Sequence, residues 1–267
     1  LLVGVSVRAS LRQLALERLG ATDQVVTSFG FIRDSLASDL ALADGIGERF
    51  SRITPLIAVE GFITHQESGR RASAVQVYGV DERFWTFHGL PAEEFALERN
   101  AAFLSDGLAA ELGARFDDAI LVRVEKPSAV PISSLHGRRD DAGSTLRLGV
   151  TRVLRPTELG EFSFRPQQGL ARSVFVPLTR LQRELDQEQR VNTVLLATEE
   201  PAGNAEADAN RLAGAESAVR DVSNLDDLGL RTRVIAGQGV LAVESAAGLL
   251  NQTTVEAVDA AALSLGL

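Results

Sequence analysis

Apolar residues fall at two different spacings along this chain, and the switches between them mark out its elements. Leu11, Leu14, Ala15 and Leu19 repeat at helical spacing with Arg8, Arg12, Glu17 and Arg18 between them, and Gly20 offers a stop, which predicts a short amphipathic helix. Residues 24–31 then read as a strand, 34–50 as a helix with Leu36, Leu40 and Ile46 inward, and 53–64 as a second apolar strand. The run 72–80 alternates as a half-buried strand does, and Ser68-Gly69 ahead of it suits a hairpin turn.

The middle of the chain has a different texture. Short strand-like runs at 119–124, 146–154 and 173–176 are separated by loops rich in Gly, Pro, Ser and Asp, with one helix at 105–112 whose apolar face is Leu108, Ala109 and Leu112 and whose stop is Gly113. The long polar stretch from Lys126 to Ser144 predicts an exposed, mobile loop. From Val191 the first texture returns, with a strand at 191–198, an alanine-rich helix at 204–222 and strands at 230–235 and 239–244. A capping box, Thr253-Thr254-Val255-Glu256, opens a last helix whose seam is Val255, Val258, Ala262 and Leu265. The fold class expected is α+β. The first and last α+β stretches are expected to share one sheet, with the β-rich middle inserted between them on two connections.

Composition narrows the function classes. A chain of 267 residues with 45% hydrophobic content can bury a large core, and two lobes are expected. Asp and Glu (36) outnumber Lys and Arg (27), and the basic residues lie singly or in pairs such as Arg70-Arg71 and Arg138-Arg139, which argues against a nucleic acid partner. The absence of cysteine excludes disulfides, thiolate catalysis and cysteine-ligated metals. No run approaches the roughly 20 apolar residues that cross a bilayer. The chain holds no methionine and has apolar, helix-compatible residues at both ends, Leu1-Leu2-Val3-Gly4-Val5 and Ala262-Leu263-Ser264-Leu265. These ends read as a water-exposed domain taken from between two membrane spans.

Candidate chemistry is sparse. His65 stands at a strand end before a turn and reads as a surface residue, and His88 follows Phe84-Trp85-Thr86-Phe87 and reads as packed against those rings. His136 sits in Ser133-Ser134-Leu135-His136-Gly137-Arg138-Arg139-Asp140-Asp141, which holds the residue types of a hydrolase triad along one loop, whereas a triad needs support from separate elements. The pairs Asp117-Asp118, Asp140-Asp141 and Asp226-Asp227 lack the ligand alternation of a calcium loop and read as solvated turns. Gly237 and Gly239 lack the third glycine and the helix of a dinucleotide site and read as a tight turn, and no phosphate-binding loop is present. No catalytic, cofactor-binding or metal residue is assigned on sequence.

The run Val75-Gln76-Val77-Tyr78-Gly79-Val80-Asp81-Glu82-Arg83-Phe84-Trp85, followed by Leu104-Ser105-Asp106-Gly107-Leu108-Ala109-Ala110-Glu111-Leu112-Gly113, resembles the extracytoplasmic (periplasmic) core domain of ABC transporter permeases of the MacB/FtsX type, which include LolC and LolE. Ser173-Val174-Phe175-Val176-Pro177-Leu178-Thr179-Arg180-Leu181-Gln182 and Val191-Asn192-Thr193-Val194-Leu195-Leu196 resemble that domain's closing strand, helix and return strand, and Gly4-Val5-Ser6-Val7-Arg8-Ala9-Ser10-Leu11 the segment leaving a first membrane helix. The resemblance implies a Porter-like α+β lobe interrupted by a β-rich Sabre-like lobe. Its divisions are a helical stub at 1–23, Porter-like residues 24–81, Sabre-like residues 82–187, Porter-like residues 188–250 and a helical stub at 251–267.

In such permeases the exterior domain carries no catalytic residue. The resemblance therefore implies a non-enzymatic component at a bacterial cell membrane, coupling ATP hydrolysis on a separate cytoplasmic ATPase subunit to export or extraction of a substrate. A second permease copy or paralogue is implied as partner. Mechanotransmission of this kind asks for stiff links, and the helices at 7–19 and 253–265 are expected to pair as a stalk. Two other classes stay open: an FtsX-like module that binds and regulates an extracytoplasmic enzyme, and a soluble enzyme with a site near His88 or His136.

Overall fold

The computed structural model describes residues 13–126, 143–165, 169–199, 205–235, 237, 239–245, 250 and 252–265. Ten strands and six helices follow one another in it: β1 (Gln24–Arg33), α1 (Leu36–Leu42), β2 (Arg52–His65), β3 (Arg71–Val80), α2 (Glu82–Phe87), β4 (Ala101–Ser105), α3 (Asp106–Leu112), β5 (Ala119–Glu125), β6 (Gly143–Leu154), β7 (Ser173–Pro177), α4 (Leu178–Glu184), β8 (Arg190–Ala197), α5 (Ala205–Val222), β9 (Leu230–Ile235), β10 (Val240–Ser245) and α6 (Gln252–Leu265). Residues 13–18 form a further helical segment. The mixed α/β character read from the sequence is the character of the fold.

The long strand β2 organises the sheet. Arg52–Leu56 pairs with β8, the stretch from Ile57 to Thr64 with β3, and Gly61–His65 with β5. From β3 the ladder continues through β7, β4 and β6 to β5, which returns to β2, so six strands close into a barrel. Two neighbouring pairs in the ring, β3–β7 and β4–β6, are parallel; the rest are antiparallel. β8 and β1 extend the sheet outward from the first part of β2. Strands from 24–81 and from 82–187 are thus joined in one ring, and the sequence division at 81/82 falls at the end of β3, within it.

Pleat alternation explains two differently textured cores. On β3, β4 and β7, Val75, Val77, Ala102, Leu104, Val174 and Val176 face one cluster, completed by Ile120, Val122, Leu146 and Leu148 of β5 and β6. The alternate residues Tyr78, Phe103 and Phe175 face a second cluster with Phe84, Trp85, Phe87, Phe95 and Phe162. Strands buried on both faces need no polar alternation. This is why every residue of β4 and β7 is buried while β5 and β6 alternate buried with exposed positions.

Several elements differ from the sequence expectation. The helix expected at 34–50 is α1, Leu36–Leu42, followed by turns, because Ala43 takes an extended conformation at ψ 144° and ends the helical path. Leu40 and Ile46 are nonetheless fully buried, as their spacing predicts. β8 pairs with β1 and β2 in one sheet as expected, but β9 and β10 pair with each other in a separate two-stranded ladder. α6 already begins at Gln252, so Thr253 lies within the first turn and not at the cap; Gln252 Nε2 donates instead to Glu256 Oε1 at 3.1 Å. The α3 boundaries match: Ser105 Oγ accepts from Leu108 N at 3.3 Å, and Gly113 closes the helix at φ 65°.

Candidate functional site

The three histidines resolve differently. His88 lies edge-on to Phe84, Phe87 and Phe162 with ring centroids 4.7, 4.9 and 5.3 Å away, as the aromatic run predicts. Its Nδ1 accepts from Ala21 N at 3.1 Å. Burial, reinforced by the Arg52 guanidinium, pushes the imidazole down to about 3, so it is neutral at physiological pH. No nucleophile or carboxylate faces it through a hydrogen bond or ion pair among those described. His136 lies outside the described residues, as do Asp140, Asp141, Arg138 and Arg139.

His65 is not a surface residue: it is 3% exposed, at the end of β2. Its Nδ1 is 2.7 Å from Ser68 Oγ and its Nε2 is 3.3 Å from Asp118 Oδ2. The Ser68-Gly69 turn, with Gly69 at φ 67°, folds Glu67 back toward the same place. Asp118 is not a freely solvated turn residue either, since its Oδ2 accepts from Arg115 N at 2.7 Å. The ring and both carboxylates bring donor atoms within 4.8 Å of one another. Sequence reading missed the group because β5 joins β2 only through long-range pairing, with His65 opposite Ile120.

Two clamps tie the chain's flanking segments to the β1–β8–β2 sheet. The first follows the helical segment 13–18. Arg18, expected on a solvated face, is 6% exposed; its Nη2 donates to Glu161 Oε2 at 2.9 Å and to Gly169 O at 2.7 Å. The chain turns at Gly20, with φ 59°, as its stop position predicts. It then joins the sheet through Asp23: Asp23 N donates to Leu196 O at 3.0 Å, and Asp23 Oδ2 accepts from Thr198 N at 2.6 Å and Thr198 Oγ1 at 2.8 Å.

The second clamp corrects the reading of Asp226-Asp227 as a solvated pair. Arg33 and Arg190 stand opposite each other where β1 meets β8. Arg33 Nη2 reaches Asp227 Oδ2 at 2.7 Å, Arg33 N donates to Asp227 Oδ1 at 3.0 Å, and Arg190 Nη2 reaches both oxygens of Asp226 at 2.6 Å. Burial pushes the Asp227 carboxyl up, but the Arg33 side chain and the backbone N–H groups of Arg33 and Asn224 outweigh it and hold the carboxyl below its ordinary value. The pairing is invisible locally because its partners lie 194 residues apart in sequence for Arg33 and Asp227 and 36 for Arg190 and Asp226.

The two aspartates differ in exposure, and that sets a prediction. The Asp227 side chain is 2% exposed and Asp226 40% exposed. Asp227→Ala is expected to cost about 2–3 kcal/mol in urea unfolding, because it removes a buried acceptor of the Arg33 side chain and of the Arg33 and Asn224 backbone N–H groups, leaving the guanidinium Asp39 as its carboxylate. Asp226→Ala is expected to cost no more than about 1 kcal/mol, as exposed pairs do. Equal losses would contradict the clamp.

Between these clamps an open depression of about 510 Å³ is lined by Leu19, Val25, Thr27, Ser28, Ala58, Phe164, Asn192 and Thr193. Asn192 is not free to act as a ligand-binding amide. Its Oδ1 accepts from Ala58 N at 2.8 Å and its Nδ2 donates to Ala58 O at 2.9 Å, so it prolongs the β2–β8 ladder in place of backbone. Among the described residues no helix is long and apolar enough to cross a membrane.

No protein-family model matches the sequence, and no curated protein matches it. Solved structures similar to the chain include the periplasmic region of MacB from Actinobacillus actinomycetemcomitans, with 11% identity, a TM-score of 0.41 and coverage of 92% of this chain and 95% of that one. They also include the extracellular domain of the noncanonic ABC-type transporter YknZ from Gram-positive bacteria, with 12% identity, a TM-score of 0.45 and coverage of 81% and 90%.

Proposed function

We propose that this chain is the extracytoplasmic domain of an ABC-type permease in a bacterial membrane, a non-catalytic body that passes motion driven by a cytoplasmic ATPase to a substrate outside. The observation that carries the reading is the double anchorage. The segment after the helix at 13–18 is held on the β1–β8–β2 sheet by the bonds of Asp23 to Leu196 and Thr198, and the turn before β9 by the Arg33–Asp227 and Arg190–Asp226 ion pairs. That sheet runs through β2 without interruption into the closed barrel. A displacement entering at either flank therefore meets a stiff path to the far side of the domain, which is what mechanotransmission requires and what a catalytic site does not.

The resemblance carried by Val75–Trp85, Leu104–Gly113, Ser173–Gln182 and Val191–Leu196 supports the same assignment, with ATP on a separate subunit and a second permease copy as partner. α6 leaves apolar residues open to such an arrangement, with Val255 of its seam 40% exposed and Leu263, outside the seam, 80% exposed. In the proposal this seam and the N-terminal helix meet as a stalk above the membrane. The open depression beside Phe164 supports cargo handling over regulation of an enzyme partner.

The test uses the absence of cysteine. Single cysteines at the exposed positions Ser38 and Ser217, in the protein produced in cells with its membrane region, are expected to react with a membrane-impermeant maleimide before lysis. Reaction only after lysis would sink the proposal.

A further inference from the structure

The grouping of His65, Glu67 and Asp118 has a geometry that hydrogen bonding does not explain. His65 is 3% exposed, and its Nε2 is enclosed and makes no hydrogen bond, although Asp118 Oδ2 stands only 3.3 Å away. The atoms are close enough; the direction is wrong. With Ser68 Oγ engaging Nδ1, the ring is held in this orientation whichever tautomer it adopts. If Nε2 carries the proton, a buried donor is left unsatisfied. If it does not, its lone pair lies beside a carboxylate. Both arrangements are unfavourable for an enclosed polar atom.

A cation removes the conflict. Ligands of one metal ion aim their lone pairs at a shared point and not at each other. For zinc–nitrogen and zinc–oxygen bonds of about 2.0–2.1 Å, the edge of the coordination tetrahedron is about 3.3–3.4 Å. The Nε2 to Oδ2 separation is such an edge. Glu67, on the exposed turn, has donor oxygen within 4.8 Å of the other two and reaches the same point by a side-chain rotation.

The supporting bonds are those of a built site. Ser68 Oγ holds His65 Nδ1, and Arg115 N holds the Asp118 oxygen at 2.7 Å, which are the outer contacts that orient metal ligands. The backbone fixes the rest: His65 N donates to Arg70 O at 2.9 Å, Gly69 N to His65 O at 3.0 Å, and Gln66 N to Ala119 O at 2.9 Å.

We propose that His65 Nε2, Asp118 and Glu67 form a binding site for a borderline divalent transition-metal cation of the Zn²⁺ class, with water completing the tetrahedron. One imidazole and two carboxylates suit zinc and its Co²⁺ and Ni²⁺ substitutes better than calcium or magnesium, which take oxygen alone. The ion staples the β2–β3 turn to the segment that enters β5, at one end of the barrel seam. The proposal is independent of the transporter reading, since it rests on three side chains away from both clamps.

The probe is Zn²⁺ itself, titrated calorimetrically into the metal-stripped chain, with Co²⁺ absorption as the second readout. Saturable one-to-one binding is expected, with a visible Co²⁺ band of tetrahedral intensity. Glu67→Gln, an exposed change that leaves the core untouched, is expected to weaken binding about tenfold or more, and Asp118→Asn at least as much. Asp186→Asn, an exposed acid elsewhere, is expected to change nothing. No saturable binding up to about 1 mM Zn²⁺ would overturn the proposal, and so would binding that Glu67→Gln leaves unchanged.

Discussion

The domain is expected to lose stability on acidification in a window set by His88, and a His88→Leu variant is expected to lose that part of the pH dependence. The folded imidazole titrates at about 3, below its ordinary 6.5. Between those values the unfolded chain binds a proton that the folded chain refuses, so unfolding becomes more favourable as pH falls. The stabilisation is complete above pH 6.5 and is lost as pH drops toward 3. At about 1.4 kcal/mol per unit, the loss between pH 6.5 and 4.5 is about 2–3 kcal/mol.

His88→Leu gives up the acceptor for Ala21 N, which costs about 1 kcal/mol at pH 7. Its acid limb should be flatter, and the surface carboxylates common to both proteins cancel in the difference. Urea midpoints followed by Trp85 fluorescence every half unit of pH check this. Parallel curves for the two proteins would mean that His88 accepts a proton in the folded state.

The second large effect is expected at Gly61. This residue pairs with Val75 on β3 and with Val124 on β5, at the point where the barrel closes. A Cβ placed there lies 2.8 Å from Val77 Cγ2 and 2.9 Å from the backbone oxygen of Arg123. The side chain can shift, but the carbonyl belongs to a paired strand and cannot move without opening the seam. Gly61→Val is expected to destabilise by about 3 kcal/mol or more, at or above the upper range for overpacking. Gly47→Ala is the matched control, because a Cβ there meets nothing within 4 Å, and it should be neutral or slightly stabilising. If Gly61→Val unfolds at the same urea concentration as the parent, the strands do not close at this point.

What the sequence disclosed follows from what each signal depends on. β5, β6 and β7 were legible as short strand-like runs between loops, β3 by its alternation, and α3 by Ser105 and Gly113. β4 escaped notice because Ala101–Ser105 carries no period and, unlike Ser173–Pro177 of β7, no β-branched residue. The long strand β2 was legible as a strand, but nothing in its residues says that it serves three neighbours. The ring emerges only when Gly61–His65 meets β5 some 60 residues later.

The functional candidates divide in the same way. His88 was placed correctly among its rings because Phe84 and Phe87 are its sequence neighbours. His65, Arg18 and Asp227 were read as solvated, and each is buried by a partner distant in sequence: Asp118, Glu161 and Arg33. A charged residue's surroundings are written in its tertiary neighbours, so polarity alone pointed outward for all three.

Closure of the barrel also decides how this molecule meets copies of itself. A flat sheet of eight strands would present two rows of unpaired backbone groups, each a template for another chain. Here β5 finds β2, so among the described strands of the main sheet only β1 keeps an open side. The β1–β8 register is irregular between Thr27 and Ile32, which interrupts that side as a template. Strand addition to the main sheet, whether in misassembly or in recognition of an extended peptide, therefore has one address, Gln24–Arg33, and the address is broken in the middle.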